Sequence, residues 1–152
     1  MAKVFTITGD DTFTVFGRVI TDLADGAVST VTFDNDFTNM KTGKNANTVF
    51  SKNETGNNAN VTLRVMRGSG DDRFFQSRLQ QLEADFPSFQ LAVGEFVKRL
   101  GDGLGGIRND VYSLEGGMFI RKVSGAENTD GETEQGVAVY NMRFAYATRS
   151  IR

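Results

Sequence analysis

Alternating apolar and polar positions dominate this chain and predict a domain built mainly of β-strands. Val61, Leu63 and Val65 fall on one side of an extended segment, with Thr62 and Arg64 on the other. Phe5 and Ile7 alternate with Thr6 and Thr8, and Gly9-Asp10-Asp11-Thr12 then offers a hairpin turn. The return strand carries Phe13, Val15 and Val19 on one face, with Gly17 marking a bulge or a close contact. Asp22 to Gly26 predicts a turn, and Val28 to Phe33 a third strand. Phe89, Leu91 and Val93 share a parity that Phe96 breaks, so a bulge is expected at Gly94. Ile107 to Leu114 and Met118 to Val123 read as strands around Glu115-Gly116-Gly117. In the closing strand, Val137 to Ala147, the residues Tyr140, Met142, Phe144 and Tyr146 share a face.

Two segments depart from this period. Ser69-Gly70-Asp71-Asp72 places a carboxylate three residues after a serine, a capping-box-like helix start. Phe75, Leu79, Leu82 and Phe86 follow at helical spacing, a stripe expected to pack against the sheet, and Pro87, the only proline, stops the helix. From Asp34 to Asn60 the chain is a long polar stretch with eight asparagines and with Phe37, Met40 and Phe50 as its large apolar anchors. It is expected to be an extended loop, mobile in a free subunit, because so little apolar area does not offset an ordering cost of about 1–2 kcal/mol per residue. Loops of this length within a compact domain are generally functional.

Composition narrows the chemistry. The 152 residues predict one domain, able to bury about 70% of its unfolded surface. Seventeen glycines, thirteen phenylalanines and a single proline agree with strands joined by tight turns. A net charge of −2 argues against a basic nucleic-acid-binding surface. The absence of histidine removes the commonest general base and metal ligand, and the absence of cysteine removes disulfides and thiolate sites. No apolar run reaches the length of a membrane span, and the first residues do not resemble a signal peptide, which points to synthesis in a cytoplasm.

Each candidate motif has a plain structural explanation. Gly101-Asp102-Gly103-Leu104-Gly105-Gly106 fits a dinucleotide-binding pattern, but the residues after it have no helical stripe, so a hairpin loop is expected. Asn53-Glu54-Thr55 and Asn60-Val61-Thr62 match glycosylation sequons that only a secreted chain would use. The pairs Asp10/Asp11, Asp34/Asp36 and Asp71/Asp72 lie at turns or a helix start, where carboxylates cap amides, rather than facing each other across a cleft. Asp130, Glu132 and Glu134 lack the glycine and distal glutamate of a calcium loop and read as part of a solvated segment from Ala126 to Gly136. Lys41, Lys44 and Lys52 with Phe37 and Phe50 suggest single-strand nucleic-acid binding, diluted by Asp34, Asp36 and Glu54. No catalytic, cofactor or metal site is expected, and the chain does not read as an enzyme.

Three features together carry a resemblance. They are the Asn/Gly/Thr-rich loop, the strand Asn60-Val61-Thr62-Leu63-Arg64-Val65-Met66, and Gly68-Ser69-Gly70-Asp71-Asp72-Arg73-Phe74-Phe75 opening a helix. This layout, over nearly the whole chain, resembles the tail tube proteins of bacteriophages, especially contractile ones, and their relatives in R-type pyocins and type VI secretion. The resemblance implies two packed antiparallel sheets, a sandwich or partly open barrel, with one flanking α-helix. It implies a single domain over 1–152 with an arm at about 34–60. It implies homohexameric rings whose sheets join into one barrel and stack into a hollow tube, the conduit for DNA ejection. Genomic DNA would pass the lumen without sequence-specific binding, and tail sheath, baseplate and terminator proteins would be partners. The location would be the virion tail, assembled in the host cytoplasm. The inter-subunit arm would use Phe37, Met40, Lys41, Lys44, Asn45, Phe50 and Lys52, and the helix would pack through Phe75, Leu79 and Leu82. Two other classes fit the residues: a monomeric β-sandwich binding module, for carbohydrate for example, with the loop as recognition surface, and an enzyme working through carboxylates alone.

Overall fold

A computed structural model describes residues 6–23, 29–126 and 136–152, with backbone alone for 6–10 and 124–126. The fold is mainly β and antiparallel. β1 (Thr6–Val15), β2 (Arg18–Ile20), β3 (Ser29–Phe33), β6 (Ala59–Met66), β7 (Ala92–Gly101), β8 (Ile107–Phe119) and β10 (Val137–Ile151) form one large sheet in the order β2-β1-β7-β8-β10-β6-β3. The short β9 (Ser124–Ala126) also pairs with β10. β4 (Thr38–Thr42) and β5 (Thr48–Lys52) form a separate two-stranded sheet, and α1 (Gly70–Ala84) is the one α-helix among the described residues. The large sheet does not close into a barrel, although a single bridge, Leu23 to Val65, ties the residues after β2 back to β6.

The strand at 61–67 and the helix appear where periodicity puts them. Val61, Leu63 and Val65 are fully buried, as are Tyr140, Met142 and Phe144 on the paired β10. Ser69 caps the helix by accepting from the Asp72 N–H, and Phe75, Leu79 and Leu82 enter the same core. Phe86 lies beyond the helix end and is exposed.

Several local expectations are overturned, each because strand pairing outweighs turn-prone residues. No hairpin turn forms at Gly9–Thr12; β1 runs through, and the register against β7 shifts between Ile7 and Asp11, so those residues form a bulge. The turn lies at Phe16-Gly17, where both residues have positive φ (56° and 75°), the backbone a two-residue hairpin requires. Val19 consequently faces solvent, and Ile20 takes the core position. Gly116 does not end a strand either. β8 continues through it, with one more residue than β7 between Ala92↔Gly117 and Gly94↔Leu114, and the φ of +66° at Gly116 absorbs the extra residue. The bulge expected at Gly94 therefore sits on β8 instead: Ala92, Gly94 and Phe96 keep one inward parity along β7, while Leu91 and Val93 are exposed. Ile120 to Val123 is not strand. In β10 the inward phase changes after Phe144, so Tyr146 is exposed and Ala147 is buried. Within the 34–60 stretch, the β4–β5 hairpin and two short 3-10 turns replace the expected loop. Most of Ala126 to Gly136, with Asp130, Glu132 and Glu134, lies outside the described residues, as does most of the turn expected at Asp22–Gly26.

Candidate assembly surface

Among the described residues, the large sheet has a four-stranded part with an unpaired stretch on each side. From Thr6 to Thr12, β1 pairs with β7 on one side and with no described strand on the other, because β2 reaches only Phe13–Val15. From Ala145 to Ile151, β10 pairs with β8 but lies beyond its pairing with β6, which ends at Phe144. Across one face run two ion pairs. Lys98 Nζ sits 3.2 Å from Asp11, and Arg149 makes a two-point contact with Asp110 at 2.8 and 2.9 Å while lying over the Tyr112 ring. Lys98 and Asp110 are themselves cross-strand neighbours, so charge of alternating sign links β1, β7, β8 and β10.

The turn joining β7 to β8 is an aspartate-stapled loop. Asp102 Oδ1 accepts from the N–H groups of Leu104 and Gly106 at 2.7 and 2.9 Å, and these bonds hold its carboxyl below the ordinary range. A strand follows it, not a helix, so the glycine pattern here is a hairpin loop.

The arm is firmly rooted and bare beyond its root. Asn53 N–H donates to the Phe37 carbonyl at 2.7 Å, and the Asn53 side chain accepts from Thr55. Gly56 packs so closely that a Cβ would lie 2.7 Å from Phe37 Cα. Asn60 donates to Asp34, which also faces Arg143 at 3.6 Å. Beyond the root, every residue of β4 and β5 is exposed. Met40 and Phe50 are cross-strand partners, Lys52 lies on their face and covers the Phe37 ring, and Lys41 lies opposite beside Val49. Lys44 and Asn45 form the tip, where Asn45 has φ 68°.

Sequence reasoning missed the clasp at the helix start. Asp71 is fully buried and accepts from Arg18 Nε and from the N–H groups of Thr21 and Asp22, each at 2.8 Å. Burial alone raises its pKa, but the Asp22 amide, the Arg18 side chain and the Thr21 amide outweigh that and hold it below the ordinary value. Next to it, Asp72 accepts from Gly68 N–H and from the Tyr140 hydroxyl, whose pKa is raised first by burial and then by that carboxylate. The Asp71/Asp72 pair thus fastens the helix to the β2–β6 seam. Asp11 and Asp34 are engaged with Lys98, Asn60 and Arg143 as described, and side chains at Asp10 lie outside the description. Among the described residues no cluster of three or more metal-ligating side chains exists, and no helix is long and apolar enough to cross a membrane.

No protein-family model and no curated protein sequence matches this chain. Solved structures do. A chain of the PVC sheath–tube complex, an extracellular contractile injection system in its extended state, superposes with TM-score 0.64 at 9% identity, over 92% of this chain and 87% of that one. A chain of the anti-feeding prophage cap, which terminates its tube, gives TM-score 0.66 at 9% identity, over 100% of this chain and 95% of that one. A chain of the PVC sheath/tube terminator gives TM-score 0.66 at 9% identity, over 95% and 96%. This chain therefore has the fold of components of contractile, tail-like injection systems.

Proposed function

We propose that this protein is a structural subunit of the tube of a contractile, phage-type tail, forming rings that stack into a hollow conduit. The observation that carries the reading is the pair of open edges, Thr6–Thr12 and Ala145–Ile151, on opposite sides of β1-β7-β8-β10. Successive strands in that series are antiparallel, so β1 and β10 run in opposite directions. Laying β10 of one copy against β1 of the next continues the antiparallel pattern without a break. Such a contact joins two different surfaces, so it repeats around an axis until it closes, and closure removes edges that would otherwise recruit other strands. Six copies per ring, as in the tube proteins this sequence resembles, make one continuous barrel. The net charge of −2 suits a channel through which DNA passes without counterion release to the wall. Sheath, baseplate and terminator proteins are the expected partners, and the virion tail, built in the host cytoplasm, the expected location.

Negative-stain electron microscopy of the purified protein tests this. Rings of uniform diameter, alone or stacked, are the expected result. A protein that stays monomeric at high concentration and forms neither rings nor tubes overturns the proposal.

A further inference from the structure

The β4–β5 hairpin is held by one apolar pair and little else. Its ladder runs Thr38↔Lys52, Asn39↔Ser51, Met40↔Phe50, Lys41↔Val49 and Thr42↔Thr48, and the middle pair alone joins two apolar side chains. No residue of either strand belongs to the core, and Met40 and Phe50 are 63% and 68% exposed. A two-stranded ribbon with no covered face is marginally stable in water. The tip works against closure, because Asn45 and Ala46 both have positive φ (68° and 62°), a region that is unfavourable for a side chain with a Cβ. Backbone bonds bracket the ladder, Gly43 N–H to the Asn47 carbonyl at 2.8 Å and Asn53 N–H to the Phe37 carbonyl at 2.7 Å. Near the tip, the Thr42 and Thr48 hydroxyls bond at 3.1 Å. Between tip and root, Met40 opposite Phe50 supplies the hydrophobic attraction.

That pair also holds the most exposed methionine among the described residues. Met66, at the end of β6, is 40% exposed, Met118 is half-buried against the core and Met142 is fully buried. A thioether open to solvent is the first to meet a small oxidant. Directly opposite residues have Cβ atoms about 4.5–5.5 Å apart, within reach of a sulfur–ring contact that favours the apolar thioether. The oxidised sulfur is polar and does not replace it.

We propose that Met40 is a redox-modification site, taking oxygen from a peroxide, and that its oxidation state sets the order of the β4–β5 hairpin. The sulfur lone pair attacks one oxygen of hydrogen peroxide. An S–O bond forms, the O–O bond breaks, and the second oxygen leaves as water. Sulfur loses two electrons and the peroxide gains them. The sulfoxide then stands opposite the Phe50 ring, and the ladder has lost its one apolar pair while tip and root are chemically unchanged. The inference concerns the free subunit and stands whether or not rings form.

The full chain is treated with a few equivalents of hydrogen peroxide and followed by peptide mass spectrometry. Met40 is expected to gain oxygen before Met66, Met118 and Met142. Trypsin reads the opening of the hairpin: Lys41 lies inside the ladder and is cut from an opened strand, whereas Lys44 at the tip is cut without opening. One cross-strand apolar pair corresponds to a change of about two- to five-fold in the open population. The initial rate of cleavage after Lys41 is expected to rise by that factor on oxidation, with cleavage after Lys44 unchanged, and to return after treatment with methionine sulfoxide reductase. Met40→Leu keeps the apolar pair without sulfur and is expected to cleave like the untreated parent before and after peroxide. Met40→Gln is expected to cleave at the oxidised rate without peroxide. Oxidation of Met66 or Met118 ahead of Met40 overturns the proposal. So does Met40 sulfoxide with unchanged cleavage after Lys41, or with an equal rise after Lys44.

Discussion

Asp71→Asn keeps the volume of a fully buried side chain and removes its charge. The carboxylate satisfies Arg18 Nε and two backbone N–H groups, all at 2.8 Å. An amide offers one oxygen, which at the Oδ2 position still accepts from both backbone N–H groups, while its NH₂ is set against the Arg18 Nε–H, donor against donor. The two surviving backbone bonds, no longer charge-assisted, lose about 1 kcal/mol each. The Arg18 ion pair adds about 0–1 kcal/mol, because the arginine side chain is 44% exposed and screened by water. The expected destabilisation is about 2–3 kcal/mol, which in a domain of this size lowers Tm by about 4–12 °C. Urea unfolding followed by circular dichroism reads it as a fall in midpoint at constant slope. The pH dependence supplies a second reading. The folded pKa is depressed, so this contribution is complete above the unfolded carboxyl value of about 3.9 and is lost as pH falls through the lower folded value. The gap between variant and parent should therefore hold from neutral pH down to about 5 and shrink below it. A gap under about 0.5 kcal/mol at pH 7, the range of ordinary surface substitutions, would show that the clasp does not fasten the helix. A gap constant into acid would show that the charge plays no part.

Leu79→Ala, at a position 4% exposed on the buried helix stripe, should cost about 2–5 kcal/mol in the same denaturation assay, and a change near zero would mean the stripe packs on nothing. Gly117→Ala places a Cβ 2.3 Å from the Phe144 ring, which is itself fully buried and has nowhere to move, so about 1–3 kcal/mol should be lost; an unchanged melt would refute that packing. Deleting Lys41–Glu54 should leave the domain folded, since no core residue lies in the segment, while tube elongation fails in electron micrographs. Hydrogen exchange on the arm, comparing free with assembled protein, should show protection gained on assembly; full protection in the free subunit would make the arm part of the domain's own core.

What the residues determined by themselves was everything governed by local period and local chemistry. Val61, Leu63 and Val65, and the capped helix at Ser69 with Phe75, Leu79 and Leu82, follow from spacing along the chain, because each element's burial repeats at its own geometric period. The polar arm was legible as a feature without a core, but not as a hairpin, since Met40 and Phe50 meet only through cross-strand pairing. Tertiary structure decided wherever a local turn signal competed with a neighbouring strand. Gly9-Asp10 and Gly116-Gly117 look like turns in isolation, yet the ladders to β7 and β10 satisfy more backbone groups than a reversal there would. The same holds for the features that join distant segments. The stretches of β1 and β10 left unpaired among the described residues, the Asp71 clasp across some fifty residues of chain, and the meeting of Glu95, Glu115 and Tyr146 on one face are products of register. Register depends on which strands become neighbours, and that is settled by burying the whole sheet at once rather than by any one segment.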